Sequence, residues 1–247
     1  MPEKEILHMD INSDSIADRI LYEDNHLIIL NKRPGDIVQG DKTGDEPLSE
    51  IVARFIADRD SKPGKAFIGV PHRLDRPVSG IVLFAKTSKA LERMNELFRN
   101  GEVEKIYWAV LATIPDPAEG EITHYLVRNE KQNRSKAYLK PVVGSKEAKL
   151  RYHLLASGDR YHLIEVELLT GRHHQIRSQL SAIGSPIKGD LKYGAPRSNR
   201  DGGISLHARS IKFIHPVKKE EVFVVAPIPD DKIFLYLYQI LSPLEKR

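Results

Sequence analysis

Residues 71–80 read PHRLDRPVSG, and an apolar run at residues 81–85, IVLFA, follows them directly. A short apolar run bounded by turn residues is typical of a buried strand. Pro77 restricts its own backbone and Gly80 tolerates conformations that other residues avoid, so we expect a sharp and rigid turn before the strand. The segment therefore predicts a fixed loop that leads into the core.

Within this segment a single carboxylate, Asp75, lies between the guanidinium groups of Arg73 and Arg76. Nearby positive charge favours the ionised carboxylate, which is the form that a nucleophile or a general base needs. The same string is also compatible with a solvent-exposed loop whose charges pair with one another. Other parts of the sequence must decide between these two interpretations.

Strand patterns recur on both sides of this segment. They cover residues 19–22, 26–30, 80–85, 105–112, 149–156, 162–169, 205–214 and 221–225. The clearest helix covers residues 88–100, with Thr87 or Ser88 as the cap at its start and Gly101 at its end. Further helices are predicted at 47–58, 172–183 and 232–241. This mixture predicts an α+β protein dominated by antiparallel strands.

The sequence contains no cysteine, which excludes disulfides, thiolate nucleophiles and sulfur-ligated metal centres. Across 247 residues, 40% are hydrophobic and 29% are charged, a composition typical of a folded globular protein rather than a disordered one. No basic start precedes an apolar run, and no stretch is long enough to cross a membrane. We therefore expect a cytoplasmic protein.

A second segment, residues 169–177, reads LTGRHHQIR and lies between a predicted strand and a predicted helix. Backbone N–H groups at a helix start, together with Arg172 and Arg177, form a natural site for phosphate or carboxylate. On a helix, the neighbours His173 and His174 would diverge by about 100°, so we do not expect them to bind one metal. The alternative is an ordinary basic helix start on the surface.

The predicted strand that begins at residue 105 carries two adjacent aromatic residues. Trp108 shares a face with Ile106 and Val110, whereas Tyr107 points to the opposite face. Tyr107 could stack on a nucleic-acid base, although aromatic residues on strands more often serve only in packing.

Basic residues are concentrated between two predicted strands. They are Arg128, Lys131, Arg134, Lys136, Lys140, Lys146, Lys149 and Arg151. We expect a solvated loop here, which in a nucleic-acid enzyme would form a flap that contacts phosphates. The formal net charge of +4 agrees with a polyanionic partner.

Taken in order, these segments resemble the RluA family of pseudouridine synthases over about residues 19–226. The motifs that carry the likeness are Ile20-Leu21-Tyr22-Glu23-Asp24, Asn31-Lys32 with Pro34-Gly35, His72 to Gly80, Lys105-Ile106-Tyr107, Thr170 to Arg177, Gly189-Asp190 with Tyr193-Gly194, and Leu206-His207-Ala208 with Phe213 and His215-Pro216. Two positions depart from the family pattern: Val78 replaces the usual threonine, and Arg33 is inserted before Pro34. Neither departure changes a residue to which the resemblance assigns a catalytic role.

The resemblance implies the pseudouridine synthase catalytic fold, a twisted, mostly antiparallel mixed sheet with flanking helices and a cleft across its middle. By motif, Asp75 matches the catalytic aspartate, Tyr107 the tyrosine that stacks on the target base, and Arg177 the basic residue that pairs with the aspartate. Arg73 matches the arginine that can fill the space left by a flipped nucleotide. RNA contacts are expected from Arg73, Arg76, Lys105, Arg172 and His174.

The resemblance is to short family members, which lack an N-terminal S4-type RNA-binding domain and recognise RNA with the catalytic domain itself. We therefore predict a polar arm at residues 1–14 and a single catalytic domain at residues 15–247. We expect a monomer that acts on a stem-loop of ribosomal or transfer RNA and needs neither a cofactor nor a metal.

Formation of pseudouridine breaks the N1–C1′ bond of uridine, rotates the uracil, rejoins it through C5 and removes the C5 proton. The resemblance implies that uridine flips out of its RNA loop before Asp75 acts on it. Attack at C1′, removal of the 2′ proton and addition at C6 all remain open, and all three need the carboxylate. Large-subunit ribosomal RNA is the favoured substrate.

Three other classes of protein compete with this interpretation. A binding or ribosome-assembly protein that no longer catalyses would be expected to lack Asp75, Tyr107 or Arg177, yet all three are present. A nucleoside or glycoside hydrolase normally needs a second acidic group, and we assign none to the chemistry in these segments. Zinc-dependent base deamination is excluded because its cysteine ligands are absent.

Overall fold

The computed structural model describes residues 15–40 and 44–241, and within them it contains ten strands and four α-helices. The strands are β1 (Ile20–Glu23), β2 (Leu27–Lys32), β3 (Ser79–Ala85), β4 (Glu104–Leu111), β5 (Glu119–Asn129), β6 (Arg134–Tyr138), β7 (Lys146–Ser157), β8 (His162–Leu168), β9 (Leu206–Ile214) and β10 (Glu221–Val225). The helices are α1 (Leu48–Arg59), α2 (Ser88–Asn100), α3 (Gln175–Ala182) and α4 (Lys232–Leu241). The predicted arm at residues 1–14 lies outside the described residues.

All ten strands belong to one sheet, in the order β1-β2-β3-β9-β4-β8-β7-β5-β6, with β10 paired to β9. Neighbouring strands are antiparallel except β3 and β9, which are parallel where Ser79 pairs with His207 and Gly80 with Ala208. The predicted α+β fold, with a mostly antiparallel mixed sheet and flanking helices, is therefore confirmed. Strand β9 lies between β3 and β4 although it follows both in the chain.

Strand β4 shows how the two faces of the sheet divide the core. Tyr107 and Ala109 belong to the main hydrophobic cluster, which also contains the apolar residues of β2 and β3. Trp108 and Val110 belong to a second cluster, which α4 covers with Phe234, Leu237 and Leu241. The predicted division of β4 into two faces is confirmed, because side chains alternate along a strand.

Helix α2 begins and ends at the residues that the sequence predicts. The Thr87 hydroxyl accepts a hydrogen bond from the Ala90 amide at 3.1 Å, and Gly101 adopts a left-handed conformation with φ of 75°. Both features satisfy backbone groups that the helix leaves unpaired at its ends. No helix in the described part of the chain has the length and apolar character to span a membrane.

The predicted basic loop between residues 128 and 151 is wrong. This region contains the end of β5, all of β6 and the first half of β7, which form an antiparallel ladder in the order β7-β5-β6. On β5 the buried residues Ile122, His124 and Leu126 alternate with more exposed residues. The sequence hides this period of two because the buried positions include the polar residues His124 and Ser135, whereas Tyr125 and Val127 lie at less buried positions of β5.

Candidate active site

A cleft of about 1070 Å³ is lined mainly by the 71–78 loop, the start of β4 and residues 168–177, with further contributions from residues 37–40 and 98–101. All eight residues that the sequence predicts for catalysis or RNA binding line this cleft. They are Asp75, Tyr107, Arg177, Arg73, Arg76, Lys105, Arg172 and His174. Their roles remain predictions, but the fold brings all of them around one volume.

The loop that carries Asp75 is anchored by Lys32, whose side chain is almost completely buried. Its ammonium group donates hydrogen bonds to three backbone carbonyl oxygens, those of Arg33, Arg76 and Val78, at 2.9, 3.0 and 2.7 Å. Burial lowers the pKa of Lys32 to about 8. The Val78 amide also donates to the Asp75 carbonyl at 3.0 Å. These bonds hold the backbone on the C-terminal side of Asp75 in place.

Gly80 is the second residue of β3 and follows the turn that the Val78-to-Asp75 hydrogen bond closes. Its φ is +103°, a region that L-residues with a side chain rarely adopt. A Cβ atom at this position would lie 2.3 Å from the Ala208 carbonyl oxygen on β9. Glycine is therefore required at this position both by the positive φ and by the close approach of β9, directly after the loop that carries Asp75.

Arg177 lies between two carboxylates. Its Nε and Nη2 atoms donate to Asp190 at 2.6 and 2.9 Å, and its Nη1 atom donates to Asp75 Oδ2 at 3.0 Å. Burial alone would lower the pKa of Arg177, but its hydrogen bonds and charge interactions with Asp190 and Asp75 outweigh burial and raise it. Arg177 is therefore a permanent cation whose orientation Asp190 sets through a bidentate pair.

Asp190 is a second acidic group in the site, contrary to the sequence-based expectation. It is 1% exposed and is fully engaged by the paired bonds from Arg177. A hydrolase needs its second carboxyl group free to protonate a leaving group or to activate water. Asp190 does not have that freedom, so its presence does not favour the hydrolase alternative.

His174 is buried beside Asp75. Its Nε2 atom lies 3.5 Å from Asp75 Oδ2, and its Nδ1 atom lies 2.9 Å from the Tyr193 hydroxyl oxygen. Burial, followed by the positive charge of Arg177, lowers the pKa of His174 to about 2. A neutral imidazole therefore faces Asp75, and the contact is not an ion pair despite its short distance.

The start of α3 differs from the sequence-based prediction. The helix begins at Gln175 rather than at residue 172, because His174 adopts a left-handed conformation with φ of 52° that interrupts helical geometry. The predicted divergence of the two histidines is consequently wrong: the rings of His173 and His174 stack with centroids 3.9 Å apart.

The predicted anion site at this helix start is also not formed as expected. The Arg172 amide donates to the side-chain oxygen of Gln175 at 2.9 Å, and Arg177 is occupied by carboxylates of the protein itself. Within residues 15–40 and 44–241, no three His, Asp or Glu side chains are grouped so that they could hold a metal ion.

Tyr107 lines the cleft from β4 and is 8% exposed. Burial raises the pKa of its phenol above the ordinary value, and the negative charge of Asp75 adds to the shift. The phenol is therefore protonated at neutral pH, and the side chain presents a neutral aromatic surface close to the carboxylate.

The remaining predicted RNA-binding residues differ in their freedom to bind a ligand. Arg73 is exposed at the cleft, whereas Arg76 forms a half-exposed ion pair with Asp45 at 2.8 Å. Arg172 donates through Nε to the Glu147 carbonyl at 2.9 Å, and Lys105 donates to the Val103 carbonyl at 3.0 Å. Burial lowers the pKa of Lys105. Arg73 is thus exposed at the cleft, whereas the other three cations each contact a group of the protein itself.

Sequence reasoning missed four residues of the site. Asp190, Tyr193 and Lys32 were visible within motifs but had no role, and Ser135 lies in the region wrongly expected to be a loop. Their functions depend on partners far along the chain, such as the 58 residues that separate Ser135 from Tyr193. The only sequence signal for Asp190, Tyr193 and Lys32 was membership of a motif, and Ser135 carried no signal.

Comparison with known proteins gives one consistent result. Residues 26–182 match the family described as RNA pseudouridylate synthase. An uncharacterized RNA pseudouridine synthase of Synechocystis sp. is 32% identical over 241 residues, which cover 95% of this chain and 73% of that protein. The ribosomal large subunit pseudouridine synthase C of Vibrio cholerae is 33% identical over 215 residues, covering 85% of this chain and 65% of that protein.

Solved structures agree with the sequence matches at the level of the fold. The structure titled human RNA Pseudouridylate Synthase Domain Containing 4 superimposes with a TM-score of 0.72, at 24% identity, over 92% of this chain and 94% of that chain. The structure titled human RNA Pseudouridylate Synthase Domain Containing 1 gives a TM-score of 0.67, at 22% identity, with the same coverage. The predicted fold is therefore confirmed independently of sequence motifs.

Proposed function

The chain belongs to the RNA pseudouridylate synthase family and is an RNA pseudouridine synthase, and from this premise we propose that it isomerises uridines in a stem-loop of large-subunit ribosomal RNA with Asp75 as the essential carboxylate. Transfer RNA is the alternative substrate. The preference for ribosomal RNA rests on relatives named ribosomal large subunit pseudouridine synthase C and D, at 33% and 28% identity. We propose that the enzyme acts as a monomer and needs no cofactor.

The observation that carries the assignment of Asp75 is its position at the cleft, 3.0 Å from the buried guanidinium of Arg177. Because Asp190 holds Arg177 from the other side, the positive charge cannot move away from Asp75 during a reaction. A cation that is held in place beside a carboxylate can respond to changes of charge on it without reorganisation. Such a carboxylate is ready to act as a nucleophile or as a base.

Tyr107 supports the proposal that the target base leaves the RNA helix. The reacting bond of a stacked uridine is inaccessible, so the nucleotide must flip into the cleft, at a cost of a few kcal/mol. The neutral phenol ring of Tyr107 offers a stacking surface there. Arg73 is exposed at the cleft, which supports a role in which its guanidinium fills the space that the nucleotide vacates.

The isomerisation conserves all atoms of the nucleotide. The N1–C1′ bond breaks, the uracil rotates, a C5–C1′ bond forms, and the proton on C5 leaves while N1 gains a proton. Asp75 takes part by attack at C1′, by removal of the 2′ proton or by addition at C6. In each route the negative charge on the carboxylate is consumed or transferred, which is why neutralising Asp75 is expected to abolish the reaction.

The experiment that tests this function measures tritium release from RNA labelled at uridine C5. Unmodified ribosomal and transfer RNA are offered separately to the wild type, to Asp75→Ala and to the control Asp60→Asn, which neutralises a carboxylate outside the cleft. We expect release by the wild type and the control but not by Asp75→Ala. Release by Asp75→Ala would overturn the role of Asp75, and a response only to transfer RNA would overturn the substrate preference.

A further inference from the structure

The hydroxyl group of Tyr193 connects the backbone of β6 to the imidazole beside Asp75. Its oxygen lies 2.8 Å from the Ser135 amide, which donates to it, and 2.9 Å from His174 Nδ1. The Tyr193 side chain is buried, so water does not replace either partner. On the other side of the imidazole, His174 Nε2 lies 3.5 Å from Asp75 Oδ2.

The protons of this chain can be placed by counting donors and acceptors. The Ser135 amide can only donate, so the Tyr193 oxygen is its acceptor. The Tyr193 hydroxyl must then direct its own proton to an acceptor, and among the described residues His174 Nδ1 is the partner within hydrogen-bonding distance. A neutral imidazole carries one proton, so His174 with an accepting Nδ1 carries that proton on Nε2.

We propose that Tyr193 is a positioning residue for the isomerisation: its hydroxyl fixes His174 as the Nε2–H tautomer, so that an N–H group rather than a lone pair faces Asp75. This role rests on the proposed function of Asp75. With the opposite tautomer, the Nε2 lone pair would face a carboxylate oxygen, and the two groups would repel each other. The hydroxyl of Tyr193 therefore determines whether His174 supports or opposes the charge on Asp75.

The geometry also distinguishes the two oxygens of Asp75. Arg177 Nη1 and His174 Nε2 both lie near the same oxygen of Asp75, Oδ2, at 3.0 and 3.5 Å. Within the described part of the chain no hydrogen-bond donor is placed on Oδ1. The relay from Ser135 through Tyr193 and His174 thus helps to hold Oδ2 toward the protein and leaves Oδ1 as the oxygen that meets the nucleotide.

The hydroxyl and the ring of Tyr193 can be separated experimentally. The ring lies under the guanidinium groups of Arg177 and Arg134, with their Cζ atoms 5.1 and 5.0 Å from its centroid. Tyr193→Phe keeps this aromatic surface and removes only the hydroxyl. A matched control is Tyr152→Phe, because Tyr152 is also buried and donates its hydroxyl to the Pro117 carbonyl at 2.9 Å outside the cleft.

The first measurement is the ¹⁵N NMR spectrum of protein labelled at histidine nitrogens, in which protonated and unprotonated ring nitrogens have distinct shifts. His174 is identified by the signal that disappears in His174→Gln. In the wild type we expect a protonated Nε2 and an unprotonated Nδ1, and in Tyr193→Phe a mixture of both tautomers. A protonated Nδ1 in the wild type, or an unchanged spectrum in Tyr193→Phe, would overturn the proposal.

The second measurement is steady-state tritium release from RNA. Tyr193→Phe is expected to lower kcat about tenfold, as is usual for a residue that orients a catalytic group through a hydrogen bond, with little change in KM. Tyr152→Phe should leave both parameters unchanged. An unchanged kcat in Tyr193→Phe contradicts the positioning role. If the wild type itself releases no tritium, the proposed function fails, whereas the tautomer of His174 is still decided by the spectrum.

Discussion

Two carboxylates in this protein, Asp24 and Asp75, are each approached by a histidine and a cation, yet their bonding differs. Asp24 has partners on both oxygens. Oδ1 accepts from the amides of His26 and Leu27 at 2.8 and 2.9 Å, and Oδ2 is contacted by Tyr22 Oη, Lys218 Nζ and His215 Nε2 at 3.0, 2.8 and 3.0 Å. Its side chain is 9% exposed.

Asp75 is bonded on one side only and is three times as exposed, at 27%. Burial opposes ionisation of Asp24, but the hydrogen bonds from Lys218 and from the amides of His26 and Leu27 outweigh it and hold the pKa well below its ordinary value. The difference in bonding between Asp24 and Asp75 indicates two different roles for a carboxylate. A carboxylate that stabilises the fold has its acceptor positions filled, whereas one that is available for chemistry keeps an oxygen open.

Neutralising Asp75 is expected to give the largest difference between the loss of activity and the loss of stability. Asp75→Asn removes the charge that every proposed route requires, so kcat for tritium release should fall by at least about 10³-fold. The free energy of unfolding in urea should change by less than about 1 kcal/mol, because Arg177 keeps its bidentate partner Asp190. A variant that keeps more than a tenth of the activity would show that Asp75 is not essential.

Asp190→Asn is expected to combine both kinds of defect. The substitution leaves the buried guanidinium of Arg177 without its main counter-charge, which should lower the free energy of unfolding by about 3 kcal/mol. Activity should also fall, because Arg177 then has no fixed orientation toward Asp75. Urea unfolding and tritium release on the same sample check both effects, and a loss below 1 kcal/mol would mean that the pair is not structural.

Asp24→Asn should affect stability and spare catalysis. Loss of the charged hydrogen bonds is expected to cost about 2 kcal/mol at pH 7, with kcat per folded molecule unchanged. Since the pKa of Asp24 is lowered on folding, its contribution is present above the ordinary value of 3.8 and is lost as pH falls. The stability difference from the wild type should therefore shrink by about 1 kcal/mol between pH 4 and pH 3. A difference that is constant with pH would contradict this assignment.

The smallest effect is expected from Arg73, which belongs to neither carboxylate cluster. Arg73→Ala should weaken RNA binding by a few fold, because its guanidinium no longer fills the space of the flipped nucleotide, and should lower the slope of log affinity against log salt by about 1, because one cation close to the RNA phosphates is lost. Binding measured across a salt series tests this, with Lys62→Ala as the control outside the cleft. An unchanged salt slope would place Arg73 away from the phosphates.

The sequence predicts those parts of the molecule whose signals are local. Helix α2 is framed by Thr87 and Gly101, and β4 shows its two faces through alternation alone. The 71–80 segment also reveals its turn, although the reason for Gly80 lies on β9, more than 100 residues away. Elements of this kind depend on neighbours in the chain, and pattern reasoning is suited to them.

The parts that sequence reasoning could not supply depend on distant partners or on unusual backbone. Strands β5 and β6 were missed because polar residues, His124 and Ser135, occupy buried positions on them, so the alternation of apolar and polar residues is weak. The left-handed His174 shortens α3, and only the fold brings Tyr193 to that imidazole. The motifs therefore identified residues that line one cleft, whereas the partners of His174 and the one-sided bonding of Asp75 required the structure.

Because β9 lies between β3 and β4 but follows both in the chain, the sheet cannot be completed until late in synthesis. As synthesis proceeds from the N-terminus, β1 to β3 and β4 to β8 emerge first, and the strand that joins these halves comes only with residues 206–214. Until then the facing edges of β3 and β4 lack their partner and are open to pairing with other chains. Asp75 lies next to one half, and Tyr107 and Arg177 belong to the other, so the cleft that these residues line is completed only when β9 joins the two halves.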